Sequence, residues 1–315
     1  MKRYNNLYKN VYDIKNIINA YNEVCKNTKN KRKVEYLKEY KSTIIATIYK
    51  TLIEKNYKSK EYTKFIIYET KKREIVSQNV IDKIVNHLVA RYILYVSLLP
   101  PLINTNVASR KNMGTSKGLF YSKKFKNKCD IKYKNYYILK CDISKFFASI
   151  NHDILKEKLK RKIKDKDALK IVFDIIDTND KGVYIGTMTS QILAIFYLND
   201  LDHFIKETLK IKYYVRYQDD FLLYHESKEY LKFCLEEIKK FLDKEKLQLN
   251  SKTRIYKNTN NFLFLGRDKN NKYSRYRNIK RKIKKRKYLY ANDKISLNSL
   301  TSTLICYRNL TNNRI

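Results

Sequence analysis

Apolar residues recur at helical spacing along much of the chain. In residues 1–65 they are weakly periodic, which indicates a helical lead-in. The residues that carry this pattern are Val11, Ile14, Ile17, Ile18, Ile44, Ile45, Ile48 and Leu52. Residues 62–103 are apolar and partly helical, with a predicted buried face that includes Ile84 and Leu88. This region is expected to end at Pro100 and Pro101, because a residue before proline disfavours the helical conformation.

Shorter apolar runs predict strands. Residues 136–139 form one such run, and residues 212–224 read as strand, tight turn and strand. Helical patterns follow over 154–176, 184–206 and 228–246, whereas the lysine-rich residues 104–135 are expected to form a loop or hairpin. This order favours an α+β fold built on an antiparallel sheet.

The net charge of the chain indicates what kind of partner it binds. The 315 residues include 69 Lys and Arg against 31 Asp and Glu, a formal net charge of +38. AT-rich codons explain part of the lysine count but not the scarcity of acids, so a nucleic-acid partner is favoured. The hydrophobic share of 43% argues against disorder, and the length suits one large domain or two to three subdomains.

Cysteine usage and hydropathy bear on the compartment. The five cysteines are scattered, which favours neither a disulfide framework nor a zinc site. No apolar run reaches the ~20 residues that cross a bilayer, and the first ten residues lack the apolar core of a signal peptide. We therefore expect a soluble cytoplasmic protein with no membrane partner.

The C-terminal region is very basic. Residues 272–287 contain ten Lys or Arg in 16 positions. This density is typical either of a helix that grips a nucleic-acid backbone or of a disordered basic tail. The sequence leaves both alternatives open.

Three carboxylates are candidates for chemistry. Asp142 follows the apolar run at 136–139, and Asp219 and Asp220 lie at the tip of the predicted hairpin. Asp is common in solvated turns, which is the plain explanation of the adjacent pair. Three carboxylates at strand ends would instead suit Mg²⁺, and such sites hold two ions ~3.5–4 Å apart for attack on phosphorus.

Ordered motifs across residues 70–268 resemble a bacterial reverse transcriptase. The central ones are YYILKCDISKFFASINHDIL (136–155), YIGTMTSQILAIFYLNDLDHF (184–204), VRYQDDFLLY (215–224), LNSKTRI (249–255) and FLFLGRD (262–268). Upstream, REIVSQNVIDKIVNHLV (73–89) and NVASRKNMGTSKG (106–118) resemble the fingers motifs of that family. The resemblance implies a right-hand polymerase with fingers, a ferredoxin-like antiparallel-sheet palm and a short basic helical thumb. Its segments would be an N-terminal helical extension (1–65), fingers (66–135), palm (136–266) and thumb (267–315).

The resemblance also implies roles for single residues. Asp142, Asp219, Asp220 and the carbonyl of Ile143 would hold two Mg²⁺ ions, with Mn²⁺ as a substitute. Lys252 would be a proton donor near the leaving pyrophosphate. Phe147 would lie under the sugar, with core packing as the alternative, and Arg110 and Lys117 would contact the triphosphate. The residues implied to contact nucleic acid are Lys280, Arg281, Lys284, Lys285, Arg286 and Lys287. The implied substrates are a template RNA, the RNA/DNA hybrid and deoxynucleoside triphosphates.

One motif is similar to a particular branch of the family. Ile185, Gly186 and Gln191 form an Ile-Gly-x-x-x-Ser-Gln pattern that resembles diversity-generating retroelement enzymes. The resemblance implies cDNA synthesis with errors at template adenines, assisted by a small helical accessory protein. Gln218 in the YQDD turn, and Asn112 and Met113 in the fingers loop, depart from that branch. Two alternatives stay open: a phage-defence reverse transcriptase that uses its own noncoding RNA or no template, and a non-catalytic RNA-binding scaffold.

Overall fold

The chain forms two compact units. The computed structural model describes residues 3–60, 62–68, 72–268 and 276–312. The first unit takes in the chain up to residue 63 and residues 76–260, and the second takes in residues 64–75 and the chain from 261 onward. The division into four segments stays a prediction. The mixture of helices with an antiparallel sheet confirms the α+β expectation.

Three helices follow a short 3-10 turn at the N-terminal end of the first unit. They are α1 (Ile14–Asn27), α2 (Lys31–Glu39) and α3 (Lys41–Ile53). The side chains of Asp13 and Asn30 cap α1 and α2 by accepting from backbone amides. Asp165 accepts from the amides of Leu7 and Tyr8 at 2.7 and 2.9 Å, which fastens this region to a distant part of the unit. The predicted helical lead-in is confirmed.

A pair of strands and a long helical run come next. The strands β1 (Thr63–Tyr68) and β2 (Lys72–Ser77) form a two-stranded sheet. Helix α4 (Val80–Val89) continues through a π-helical turn (Ala90–Leu94) into α5 (Tyr95–Leu98). The run ends just before Pro100, as the sequence predicts, and the side chains of Ile84 and Leu88 are fully buried.

The lysine-rich region 104–135 is mostly helical, so the predicted loop or hairpin is wrong for most of it, although residues 104–114 are non-helical. It contains α6 (Thr115–Lys132), an 18-residue helix that begins after Gly114. Its buried face carries Gly118, Phe125 and Cys129, but apolar residues also lie on its exposed side. A helix with apolar residues on opposite sides has no clear 3.6-residue period, which is why the pattern did not reveal it.

The central sheet belongs to the first unit and has the strand order β4-β5-β3-β6. Its strands are β3 (Tyr137–Asp142), β4 (Tyr213–Tyr217), β5 (Asp220–His225) and β6 (Arg254–Lys257), and all neighbours are antiparallel. The predicted strand and hairpin are confirmed. Between β3 and β4 lie five α-helices and a π-helical turn: α7 (Phe146–Ser149), α8 (His152–Lys162), α9 (Lys166–Ile176), α10 (Met188–Tyr197), α11 (Asn199–His203) and the turn Phe204–Thr208.

Helix α12 (Lys228–Lys244) follows β5 and contacts β3, β5 and β6, while α6 contacts β4 and β5. The buried face of α12 is formed by Leu231, Cys234, Ile238 and Leu242, as expected for the amphipathic helix predicted over 228–246. The helical pattern over 154–176 is divided into α8 and α9, because Asp165 caps the second helix by accepting from the amide of Ala168.

The second unit contains a small sheet and two helices. The strands β7 (Leu263–Phe264) and β8 (Arg267–Asp268) pair with each other, and α13 (Tyr276–Ala291) packs against α14 (Leu297–Asn312). Of the two alternatives for the basic tail, residues 276–291 are helical, while residues 272–275 lie outside the described ranges. Among the described residues, no helix combines the length and the apolar character that crossing a membrane requires.

Candidate active site

The central sheet brings Asp142 and Asp220 together. Asp142 is the last residue of β3, Asp220 is the first of β5, and the two are directly opposite in the antiparallel register. Residues in that position have Cβ atoms about 4.5–5.5 Å apart. Asp219 precedes Asp220 in the turn, where Gln218 adopts a left-handed conformation with φ of 56°. All three predicted carboxylates therefore lie at the same end of the central sheet, two at the ends of its inner strands and one in the adjoining turn.

Lys140 neutralises part of this charge. Its Nζ lies 2.7 Å from Oδ1 of Asp220, and both side chains are less than a quarter exposed. Burial raises the pKa of Asp220 to about 6; Lys140 opposes the shift, and the charges of Asp142 and Asp219 add to it. A partly buried carboxylate with two further acids beside it favours a bound cation.

The donor chemistry suits a divalent ion. Carboxylate oxygens are the ligands that Mg²⁺ prefers. Within the described ranges, however, no group of three or more His, Cys, Asp or Glu side chains is arranged to hold a metal. Ile143 is buried and its backbone pairs with Leu249 in an isolated antiparallel bridge. The residues fit the ion by chemistry, and their role as ligands stays a prediction.

A buried ion pair stabilises the turn that carries Asp219. Arg216 of β4 and Asp202 of α11 are both fully buried, and Nε and Nη2 of the arginine donate to the two carboxylate oxygens at 2.7 and 2.5 Å. Nη1 of Arg216 donates to the carbonyl of Gln218 at 2.9 Å. The hydroxyl of Tyr214 and the amide of Asn106 also donate to Asp202. This cluster holds the backbone of the turn that carries Asp219.

Side-chain contacts join three of the motifs. Nε2 of Gln218 donates to Oγ of Ser109 at 2.9 Å, and that hydroxyl is 3.4 Å from Oε1 of Gln191. The backbone of residues 105–107 also pairs with Arg216: its amide donates to the carbonyl of Thr105, and its carbonyl accepts from Val107. The sequence predicted a role for Gln191 but gave no indication of its connection to the turn.

Two phenylalanines after Asp142 have different surroundings. Phe146 is buried, whereas Phe147 is only partly buried. The two rings meet edge-on, with their centres 5.7 Å apart. Gly182 packs against this segment so closely that an added Cβ would lie 2.4 Å from the carbonyl oxygen of Phe147. The amide of Val183 donates to the same oxygen at 2.8 Å. The 182–183 backbone therefore fixes the position of Phe147.

The other predicted substrate residues lie in varied settings. Nη1 of Arg110 donates to the carbonyls of Ile103 and Asn106 at 2.8 and 2.9 Å, and burial lowers the pKa of this guanidinium. Nζ of Lys117 lies 4.8 Å from the ring centre of Phe120. Lys252 is exposed in the turn before β6.

Ile185 and Gly186 lie just before α10. Ile185 is exposed, and its carbonyl accepts from the amide of Val76. Gly186 has a φ of 117°, which favours glycine. The structure thus explains the glycine of this motif by its backbone conformation, while the roles of both residues at the substrate stay predictions.

Four of the predicted basic residues are exposed on α13: Arg281, Lys284, Lys285 and Lys287. Arg286 is buried, which separates it from the rest of the set. The side chain of Lys280 lies outside the described part of the chain. Exposed lysines and an arginine at helical spacing form a positively charged face.

The comparisons with known proteins agree with this fold. Residues 53–268 match the family model of "Reverse transcriptase (RNA-dependent DNA polymerase)". The match covers well over half of the chain, so the chain belongs to the reverse transcriptase family. That family is the RNA-dependent DNA polymerase class of enzymes. No curated protein sequence matches the chain.

A solved structure supports the fold independently. The chain is similar to an apo telomerase from Candida tropicalis, truncated from its C-terminal domain, with a TM-score of 0.52 and 17% identity. The likeness covers 66% of this chain and 53% of that one, so this chain aligns with about half the length of the telomerase chain. At this identity the likeness concerns the fold alone.

Proposed function

We propose that the chain copies an RNA template into DNA by nucleotidyl transfer at Asp142, Asp219 and Asp220. In this reaction the 3′-hydroxyl of a primer attacks the α-phosphate of a deoxynucleoside triphosphate, and pyrophosphate leaves. The observation that carries the proposal is the direct pairing of Asp142 with Asp220 at one end of the two inner strands, inside the region matched by the family model. Catalysis of this type depends mainly on positioning and on electrostatic stabilisation.

The carboxylates would hold the divalent ions on which this chemistry depends. Oxygens of Asp142, Asp219 and Asp220, with the carbonyl of Ile143, would serve as ligands for two Mg²⁺ ions, or for Mn²⁺ in their place. When bound, such ions stabilise the negative charge that develops on phosphate oxygens. Lys140 balances part of the charge of Asp220, because its ammonium group lies 2.7 Å from that carboxylate.

Several residues would select and hold the nucleotide. The partly exposed ring of Phe147 would exclude a 2′-hydroxyl, a role that the burial of its neighbour Phe146 supports, because the core needs only one of the two rings. Arg110 and Lys117 would contact the triphosphate, and Lys252 would give a proton to the pyrophosphate. Ile185, Gly186 and Gln191 would lie at the templating pair.

We propose a right-hand arrangement with fingers, palm and thumb. In it the exposed cations of α13 would hold the RNA/DNA hybrid through its phosphates, which makes binding strongly salt-dependent. Arg286 would contribute to the helix rather than to the phosphates, because its side chain is buried. Neutralising Lys284, Lys285 and Lys287 should weaken hybrid binding and flatten its salt dependence. An unchanged slope would remove α13 from the interface.

The proposed biological role is synthesis with errors at template adenines in a diversity-generating retroelement, with a small helical accessory protein as partner. Its support is the Ile-Gly-x-x-x-Ser-Gln pattern at 185–191. Isoleucine at 185 removes an amide that could hydrogen-bond near the templating pair, which lowers fidelity. The second candidate is a phage-defence enzyme that uses its own noncoding RNA or no template. Gln218 in the turn favours it, since it departs from the diversity-generating pattern.

Primer extension tests both levels of the proposal. The purified chain would be given Mg²⁺, four deoxynucleotides and a primed RNA template, and the products would be sequenced. Asp219→Asn with Asp220→Asn should abolish synthesis and leave RNA binding intact, whereas the exposed control Glu236→Gln should be active. Synthesis by the double variant would contradict the site assignment.

The sequenced products separate the two biological roles. Errors concentrated at adenines, and reduced by Ile185→Gln, would support the diversity-generating role. Accurate products or template-independent products would favour the defence role instead.

A further inference from the structure

Helix α6 presents an aromatic and cationic stripe on its outer side. Lys117, Phe120, Lys124, Lys128 and Ile131 follow each other at spacings of three or four residues, which places them on one face. Phe120 is 51% exposed and Ile131 is 87% exposed. Nζ of Lys117 and of Lys124 lie 4.8 and 5.9 Å from the ring centre of Phe120. We call these five residues the α6 stripe.

The opposite face of α6 is committed to the central sheet. Phe125 packs against Tyr213 and Tyr224, with ring centres 5.6 and 6.3 Å apart. The hydroxyls of Ser122 and Tyr224 lie 2.9 Å apart. These contacts fix which side of the helix faces outward. The exposed apolar residues of the stripe therefore cannot be part of the core of this unit.

The charge around the stripe suits a polyanion. Helix α6 carries six lysines and one aspartate, and that aspartate, Asp130, pairs with Lys126 at 2.9 Å. Helix α12 makes a useful contrast, because it exposes Phe233 to 52% but carries five lysines and four acids. The exposed ring of α6 thus lies on a helix with an excess of five positive charges, whereas that of α12 lies on a helix with an excess of one.

The stripe also begins beside the carboxylate turn. The amide of Gly114, just before α6, donates to the carbonyl of Val107, whose own amide donates to the carbonyl of Arg216. Arg216 precedes Asp219 by three residues, whereas Phe125 contacts Tyr213 at the far end of β4. From Lys117 to Ile131 the helix rises roughly 21 Å, at 1.5 Å per residue. The stripe therefore leads away from the turn along the hairpin.

We infer that the α6 stripe binds single-stranded RNA, with a base stacked on Phe120 and phosphates on Lys124 and Lys128. Aromatic rings on a basic surface are the means by which proteins hold unpaired nucleotides, because every base offers a face for stacking. A duplex keeps its bases stacked inside, so an exposed ring gains little from it. This inference rests on the proposed function, in which the single strand is the template.

Binding measurements on the full chain test the inference. A fluorescent unstructured RNA and a duplex RNA of equal length would be titrated with wild type, Phe120→Ala and Phe233→Ala. Loss of one stacked base weakens single-strand binding by about tenfold, while duplex binding changes little. Phe233→Ala, matched in exposure, should bind both RNAs as the wild type does.

The charge contribution has its own readout. The variant Lys124→Gln with Lys128→Gln removes two phosphate contacts, which lowers the slope of log affinity against log salt by about 1.4 for a single strand. The control is Lys239→Gln with Lys240→Gln, since both lysines already pair with Glu236 and Glu237. That control should leave the slope unchanged.

Three results would overturn the inference: unchanged single-strand affinity in Phe120→Ala, equal losses for single strand and duplex, or self-association of the wild type that Phe120→Ala abolishes without any change in RNA binding. The last result would make the stripe a contact between copies of the chain.

Primer extension at saturating RNA separates this test from that of the proposed function. A wild type that binds single strands through Phe120 but extends no primer would contradict the polymerase proposal alone.

Discussion

Removing the charge of Arg216 should weaken both the fold and the turn that carries Asp219. The guanidinium is fully buried and donates to both oxygens of Asp202 and to the carbonyl of Gln218. Arg216→Met keeps much of the volume but leaves Asp202 as a buried, uncompensated charge. Breaking a buried pair in this way costs about 3–5 kcal/mol of unfolding free energy. The unit that contains Arg216 falls in the range of 150–250 residues, for which each kcal/mol shifts the melting temperature by about 2–4 °C, so the melting temperature should fall by roughly 6–20 °C.

A double variant separates the charge from the hydrogen bond. In Arg216→Met with Asp202→Leu no charge is left unpaired, so the loss should be smaller than the sum of the single losses by about 1–3 kcal/mol. The hydroxyl of Tyr214 and the amide of Asn106 would still lose their acceptor, which costs about 1–3 kcal/mol for each buried group. The carbonyl of Gln218 would still lose its donor. The double variant should therefore be more stable than the summed single losses predict, but it should extend primers more slowly than wild type.

Thermal unfolding by circular dichroism and single-turnover primer extension would measure the two effects. The control is Glu236→Gln, which breaks an exposed pair with Lys239 and should cost at most about 1 kcal/mol. A single-variant loss no larger than the control would refute the energetic argument. Full recovery of both stability and rate in the double variant would refute the positioning of the turn by Arg216.

Three further outcomes follow from the site. Lys140→Gln should lower the melting temperature in a chelator, because Asp220 loses its partner, and added Mg²⁺ should restore part of the loss; equal losses with and without Mg²⁺ would contradict a cation at that carboxylate. Gly182→Ala should destabilise the chain by more than Gly266→Ala in denaturant titrations, since both have positive φ but only the first would place a Cβ 2.4 Å from a backbone oxygen; equal losses would contradict this. Phe147→Ala should raise ribonucleotide incorporation in extension assays with mixed nucleotides, and unchanged selectivity would leave the ring with a packing role.

The sequence predicted the elements whose patterns are local. The apolar run at 136–139 and the two apolar runs around the polar tip at 218–220 identified β3 and the hairpin, because burial on a sheet leaves a short, dense apolar signature. Helix α6 was missed because its outer face is apolar as well as charged. The pattern that hides the helix is the same feature that makes its surface unusual.

Contacts between distant residues could not be predicted in this way. Lys140 and Arg216 were visible as charges inside apolar strands, which already requires a partner for each. Nothing in the local pattern identified those partners, because Lys140 meets Asp220, 80 positions away, and Arg216 meets Asp202 on a helix. Register and tertiary packing decide such pairs.

The strand order of the central sheet has a consequence for how the enzyme is made. Strand β3 is completed at residue 142, but its two neighbours, β5 and β6, end at residues 225 and 257. During translation β3 must therefore wait for more than a hundred further residues before both of its edges are paired, and such non-local pairing is slow. Asp142 and Asp220 become neighbours only late in synthesis. Ribosome-bound fragments that end before residue 220 lack Asp220, so they carry an excess of positive charge without the paired carboxylates.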